Sequence, residues 1–141
     1  MKTTIGLTLA VALFAAGVGL VGCTKGPDPA MLVGSWRLES FNPTDDFAPD
    51  PSVTTEITFK DGKVTGKGGV NRFGGSYDFG YDGTLTFGEI VSTRMAGPEV
   101  AMTQETKFFE VLGKTKRFEF NENKLILEGL NNDTLAVLVP N

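Results

Sequence analysis

The sequence predicts a mainly β, antiparallel fold with one helix inserted between its strands. Three observations carry that reading. Apolar and polar residues alternate with period two in several short runs, Asp-Gly pairs and Asn-rich turns separate those runs, and a single stretch after Pro98 switches to helical spacing.

The elements follow in chain order. Trp36 and Leu38 face one way and Arg37 and Glu39 the other, which predicts a first strand from Gly34 to Phe41. A Pro- and Asp-rich loop, Asn42 to Ser52, comes next. Ile57 and Phe59 alternate with Thr58 and Lys60. Asp61-Gly62 then offers a tight hairpin turn, because both residues tolerate positive φ, and Val64 begins the return strand. Tyr77, Phe79 and Tyr81 share one face against Ser76, Asp78 and Gly80, and Asp82-Gly83 turns the chain into Leu85 and Phe87.

Pro98 suits the first turn of a helix and Glu99 the positive end of its dipole. Ala101, Met102, Phe108, Phe109 and Leu112 fall on one helical stripe, and Gly113 is placed to close the helix in a left-handed cap. Phe118 and Phe120 return to alternation, Asn121-Glu122-Asn123 forms a turn, and Leu125-Ile126-Leu127 follows. A last turn at Asn131-Asn132-Asp133 leads into Leu135–Val139, apolar on both faces. Such a strand belongs in the middle of a sheet or under the helix.

The N-terminus carries a different signal. Lys2 supplies a short positive region, and residues 5–21 contain no charge, with Gly and Ala interrupting Leu, Val and Phe, as in a secretory leader. The stretch closes on Leu20-Val21-Gly22-Cys23, which resembles the lipobox of bacterial lipoproteins. That resemblance implies acylation of Cys23 and cleavage before it, so residues 1–22 form a signal peptide and 23–30 a lipidated, Pro- and Gly-containing tether. Residues 31–141 are left for one domain. Thr24 is not the aspartate that retains lipoproteins at the inner membrane, so by analogy a Gram-negative host would send the protein to the outer membrane.

Composition narrows the function. Lys2 is the only charged residue among the first 22, so the mature chain has 12 basic and 17 acidic residues and a net charge near −5. An acidic domain is a poor partner for nucleic acid, whose phosphates demand clustered Lys and Arg. The chain has no histidine, and Cys23 is its one cysteine. Ser-His-Asp and Cys-His nucleophilic systems are therefore excluded, together with the imidazole that commonly binds zinc, so no cofactor and no metal are expected. Carboxylates such as Glu56, Asp78 and Glu89 form no recognisable catalytic constellation.

Several pieces together carry a family resemblance. They are Gly34-Ser35-Trp36 with Leu38, Ile57-Thr58-Phe59 followed by Asp61-Gly62-Lys63-Val64-Thr65-Gly66, and Gly69-Val70-Asn71-Arg72-Phe73-Gly74-Gly75-Ser76-Tyr77. Leu85, Ser92-Thr93-Arg94-Met95-Ala96, and Phe108 with Leu112 complete the set. From Gly34 to Val139 the chain resembles the META domain, or HslJ-like, proteins of bacterial envelopes. The resemblance implies an antiparallel, β-barrel-like META domain with one helix between strands. It also implies a role in stress response or in envelope and secretion assembly without an agreed catalytic activity. Many members have cysteines where this chain has Val70 and Gly97, and both are absent here. The fold is similar to the cracked barrel of type III secretion pilotins, lipoproteins that bind acyl chains, a likeness of fold alone.

The candidate site residues are Asn71, Arg72, Thr93 and Arg94, with Cys23 as the lipid attachment and no catalytic residue. Asn71 to Gly75 can present donors to an anion or a partner, although a tight connection in which Asn71 bonds local backbone accounts for it more simply. Arg94 either pairs a buried carboxylate or faces a ligand. Gly66-Lys67-Gly68-Gly69 lacks the spacing and the Ser or Thr of a phosphate loop. Asp45, Asp46 and Asp50 are not spaced as an EF-hand loop. Lys60, Lys63, Lys67 and Arg72 gather positive charge on one hairpin, for anionic headgroups or to protect an edge strand. Met102, Phe108, Phe109, Phe118 and Phe120 are expected to pack as core, the alternative being the lining of a pocket for a fatty chain. The partners expected are the membrane through Cys23 and either an envelope protein or a hydrophobic ligand.

Overall fold

A computed structural model describes residues 25–141; Cys23 and the leader lie outside the described residues. Nine strands and one helix follow each other as β1 (Gly34–Phe41), β2 (Glu56–Lys60), β3 (Lys63–Lys67), β4 (Arg72–Phe79), β5 (Leu85–Phe87), β6 (Val91–Ser92), α1 (Glu99–Lys114), β7 (Arg117–Asn121), β8 (Lys124–Glu128) and β9 (Thr134–Pro140). A short 3₁₀ turn, Pro29–Leu32, precedes them. The sheet is antiparallel in the order β5-β4-β3-β2-β1-β9-β8-β7, with β6 paired to β4. Its ends meet. Thr84 bridges Arg117, the Leu85 amide donates to the Lys116 carbonyl (3.0 Å), and the Phe118 amide donates to the Gly83 carbonyl (2.9 Å), so the sheet curls into a nearly closed barrel.

The local causes are those the sequence predicts. Asp61 and Gly62 both adopt positive φ (52° and 73°), and their turn joins β2 to β3 with Lys60 opposite Lys63. β9 lies between β1 and β8, in the middle of the sheet as expected; its inward face, Ala136 and Leu138, is buried, and Leu135, Val137 and Val139 on the other face are only partly covered. In β1 the pairing with β9 shifts between Leu38 and Ser40, a bulge that lets Trp36, Leu38 and Phe41 all face inward despite unequal spacing. The core joins these to Ile57, Phe59, Val64, Phe73, Tyr77, Leu85, Phe118, Leu125, Leu127, Ala136 and Leu138, with Phe108, Val111 and Leu112 inserted from α1. Each large side chain buried in this way contributes about 1.5–3 kcal/mol. The Trp36 indole N–H donates to the Leu32 carbonyl (2.8 Å), tying the 3₁₀ turn to the barrel.

Three expectations need correction. Gly113 is not a left-handed cap: α1 continues to Lys114, and Thr115 is extended, with its amide and hydroxyl both donating to the Val111 carbonyl. The chain must enter β7 at once, since the Lys116 amide already pairs with the Glu128 carbonyl. The alternating run does not stay in its strand as far as the Asp82-Gly83 turn: Tyr77, Phe79 and Tyr81 share a face, but β4 ends at Phe79, and only Tyr77 is buried, whereas Phe79 and Tyr81 are 45 % and 72 % exposed. Finally, β2 and β3 are interior strands, so protection of a sheet edge does not explain their lysines.

Candidate functional site

The buried face of α1 is Ala101, Gln104, Glu105, Phe108, Val111 and Leu112. Met102 and Phe109, expected on this stripe, are only partly buried, and two polar residues take part of it. Gln104 and Glu105 are 1 % and 5 % exposed. A polar pair in the i+3 and i+4 places after Ala101, on a stripe otherwise apolar, was the available sign that the helix does more than pack.

Glu105 gathers the first half of the sequence motif. Its Oε2 accepts from the Val70 amide (2.9 Å) and the Asn71 amide (2.6 Å), and its Oε1 accepts from Asn71 Nδ2 (2.7 Å). Among the described residues no Lys or Arg forms an ion pair with it. The charge is met by oriented N–H groups alone, an arrangement that charge-assisted bonding makes strong. Gly68 and Gly69 permit the close approach: a methyl group on Gly68 would lie 2.8 Å from Glu105 Cγ, and one on Gly69 would collide with the Ala101 carbonyl oxygen.

Asn71 passes the connection to the second half of the motif. Its Oδ1 accepts from the Met95 amide (2.7 Å) and the Thr93 hydroxyl (2.9 Å), while Nδ2 also donates to the Met95 carbonyl (3.1 Å). Thr93 Oγ1 accepts from the Arg72 amide (3.2 Å), and the Thr93 amide donates to the Arg72 carbonyl (3.0 Å). Gln104 does the same for the other loop. Its Oε1 accepts from the Asp50 amide (2.8 Å) and its Nε2 donates to Thr55 Oγ1 (2.9 Å), whose hydroxyl donates to the Gly68 carbonyl (2.7 Å). No buried side-chain polar atom among the described residues lacks a partner.

The predicted residues thus divide. Asn71 and Thr93 are drawn into one network with Glu105, which the sequence reading missed. Arg72 and Arg94 are exposed, and no hydrogen bond or ion pair from either guanidinium is found among the described residues. The whole run 93–100 is exposed although Asn71 holds it in place. Val70 and Gly97 are neighbours: a Cβ on Gly97 would lie 2.5 Å from Val70 Cγ2 and 3.3 Å from its Cβ, so the valine fills the space over the glycine. Beside them lies a cleft of about 380 Å³ that includes Val53, Lys67, Val70, Pro98 and Val100.

The remaining candidates sit elsewhere. Phe108 and Phe118 are fully buried, Phe109 and Phe120 pack against the same core, and none of them lines a cleft found among the described residues. Asp45 pairs with Lys107, and Asp50 accepts from the Ser52 amide and hydroxyl, which holds its carboxyl below the usual range. Glu56 accepts from Asn141 Nδ2 (2.7 Å), Asp78 is exposed on β4, and Glu89 follows β5. Among the described residues no three His, Cys, Asp or Glu side chains are grouped to hold a metal. Glu128, nearly buried, has its carboxyl pushed up first by burial and then by the charge of Glu119, with Arg117 opposing.

The META domain family model matches residues 30–140. Among solved structures, an NMR structure of a protein from Burkholderia xenovorans is similar at 22 % identity and a TM-score of 0.63, covering 96 % of this chain and 97 % of that one. A crystal structure of a DUF4847 family protein from Bacteroides vulgatus is similar at 18 % identity and a TM-score of 0.58, over 79 % of this chain and 94 % of that one. These likenesses are of fold. No curated protein matches the chain.

Proposed function

We propose, from the premise that this chain belongs to the META domain family, that it is a lipid-anchored envelope protein whose domain works by holding a protein partner and not by converting a substrate. The observation that carries this reading is how the motif spends its polar atoms. Asn71, Thr93 and Glu105 bond one another and local backbone, so they fix the shape of an exposed run instead of facing a reacting group. What remains for contact is that run, residues 93–98, which includes the exposed Arg94, with the exposed Arg72 nearby. Such a surface, held from beneath by a buried network and lined with donors, suits an acidic or carbonyl-rich protein surface. In this reading the leader and Cys23 supply the membrane tether, and the role is one in stress response or envelope assembly, the setting that the sequence resemblance implies.

The test is photo-crosslinking in living cells with the reactive side chain in place of Arg94. One discrete protein adduct is expected, lost when Arg72 is replaced by Glu. The same side chain in place of Glu119, exposed on β7, serves as the control. An adduct as abundant from position 119, or none from position 94, would overturn the reading. Lipid that co-purifies in fixed proportion with the chain would favour the alternative, a carrier of lipid or of a small hydrophobic ligand.

A further inference from the structure

The tether does not leave the domain at an arbitrary point. Gly26 is pressed against the β4–β5 turn: a methyl group there would collide with the Tyr81 carbonyl and lie 2.8 Å from the Asp82 carbonyl carbon. Pro27 follows at Gly83, where its Cδ would be 3.2 Å from a Cβ on that glycine, beside the seam between β5 and β7. Pro29 and Leu32 are then buried. The chain is thus seated on the barrel from Gly26 onward, and Tyr81 marks where it arrives.

Beside that point stands an aromatic ladder. Phe59 and Tyr77 meet edge to face at 5.0 Å in the core, Tyr77 and Phe79 follow at 6.2 Å, and Phe79 and Tyr81 at 6.0 Å. Exposure rises along it from 6 % at Tyr77 to 45 % at Phe79 and 72 % at Tyr81. Phe79 and Tyr81 therefore leave much of their apolar surface uncovered by their own domain. Tyrosine, with an apolar ring and a polar tip, is the side chain enriched where membrane meets water.

Covalent geometry brings the two features together. Gly26 is three residue steps from Cys23, a reach of at most about 11 Å. A bilayer's interfacial layer is about 5–8 Å thick on each side of the hydrocarbon. With acyl chains on Cys23, the Gly26–Tyr81 contact is held at or just outside that layer. We infer that Phe79 and Tyr81 form an interfacial foot that seats this end of the barrel on the same bilayer that holds the acylated Cys23. The inference rests on the anchoring proposed above.

The foot also sets orientation. The register of the strands puts the Asp61-Gly62 turn at this end, since the Tyr77 amide donates to the Gly62 carbonyl (3.1 Å) and Lys63 pairs with Ser76. Lys60 and Lys63 flank that turn, and Lys25 is exposed on the tether. Asp61, Asp28 and Asp78 share the end, so the charge is mixed and the aromatic pair carries the contact. Asp82 is turned back onto Thr84, accepting from its amide (3.1 Å) and hydroxyl (2.8 Å). β4 runs from Arg72 to Phe79, which puts Asn71 and the exposed 93–98 run at the far end of that strand, directed away from the membrane.

The full chain, made in a bacterial host and reconstituted in vesicles of phosphatidylethanolamine and phosphatidylglycerol containing brominated phosphatidylcholine, provides the test. Wild type carries only Trp36, 7 % exposed, as a fluorescence baseline. Tyr81→Trp is expected to add emission that is blue-shifted and quenched by bromine near the top of the acyl chains, whereas Val100→Trp, on the exposed run at the far end, is not quenched. If both variants float with the vesicles and Tyr81→Trp is quenched no more than Val100→Trp, the foot is refuted and the anchor stands. If the chain neither floats nor carries acyl groups on Cys23 by mass spectrometry, the anchoring reading fails and the foot with it.

Discussion

Replacing Glu105 tests whether the buried carboxylate organises the mostly buried turn at residues 68–71 and, through Asn71, the exposed run after β6. Glu105→Ala removes the acceptor of three buried or part-buried N–H donors, at 2.6, 2.7 and 2.9 Å. A hydrogen bond to a charged group contributes about 1.5–3 kcal/mol net. The Val70 and Asn71 amides share one oxygen, so the three do not add fully, and a loss of about 3–5 kcal/mol is expected. Against a total of about 5–15 kcal/mol for a domain this is a large fraction. In a domain of this size it corresponds to a fall in Tm of about 12–20 °C. Glu105→Gln should cost less, about 1–3 kcal/mol. Its carboxamide oxygen can still accept from both amides, but its NH₂ then opposes Asn71 Nδ2, which cannot flip without losing Thr93 and Met95. Urea unfolding followed by Trp36 fluorescence measures the values, with Glu110→Ala on the exposed face of α1 as control, expected within about 0.5 kcal/mol of wild type. A loss below about 1 kcal/mol for Glu105→Ala, or an alanine variant no worse than the glutamine one, would refute the reasoning.

Val70→Cys with Gly97→Cys should form a disulfide on air oxidation, because the two Cβ positions are 3.3 Å apart, just short of the usual separation of about 3.5–4.5 Å, so a small outward shift of either segment brings them into range. The closed loop of about 28 residues would add about 3–4 kcal/mol to stability, less any strain, read as the Tm difference between oxidised and reduced protein. Gly69→Ala meets the Ala101 carbonyl, helix backbone that cannot turn aside, and is expected to cost about 1–3 kcal/mol in urea unfolding. Glu128→Gln should stabilise the fold at neutral pH. The raised carboxyl means the folded state binds its proton more readily than the unfolded one, so the wild type gains stability as pH falls through that raised value and the advantage of the variant shrinks. Asp50 and Asp82 act oppositely, since their lowered carboxyls contribute stability that is lost as pH falls below the usual carboxylate range. Melting of wild type and Glu128→Gln between pH 7 and pH 4 checks the sign; an advantage that grows toward acid would contradict it.

Much of the strand order in sequence was legible because each hairpin is specified locally. Asp61-Gly62 accepts the backbone its turn requires, and the alternation of Trp36 with Arg37, or Phe118 with Glu119, assigns each residue a face without reference to any other strand. The inserted helix was legible in the same way, from its spacing. The bulge that turns Phe41 inward was not, because register slips are decided by the neighbouring strand. Nor was the fate of Tyr81, whose alternation continues a pattern after the strand that would use it has ended.

Composition and short-range pattern therefore determined, without coordinates, that this is a β-built domain with one helix and no imidazole chemistry. Tertiary structure alone decided what the polar residues do. Asn71, Thr93 and Glu105 are scattered over 34 positions of sequence, and a hydrogen bond depends on distance in space, to within a few tenths of an ångström, which no spacing along the chain encodes.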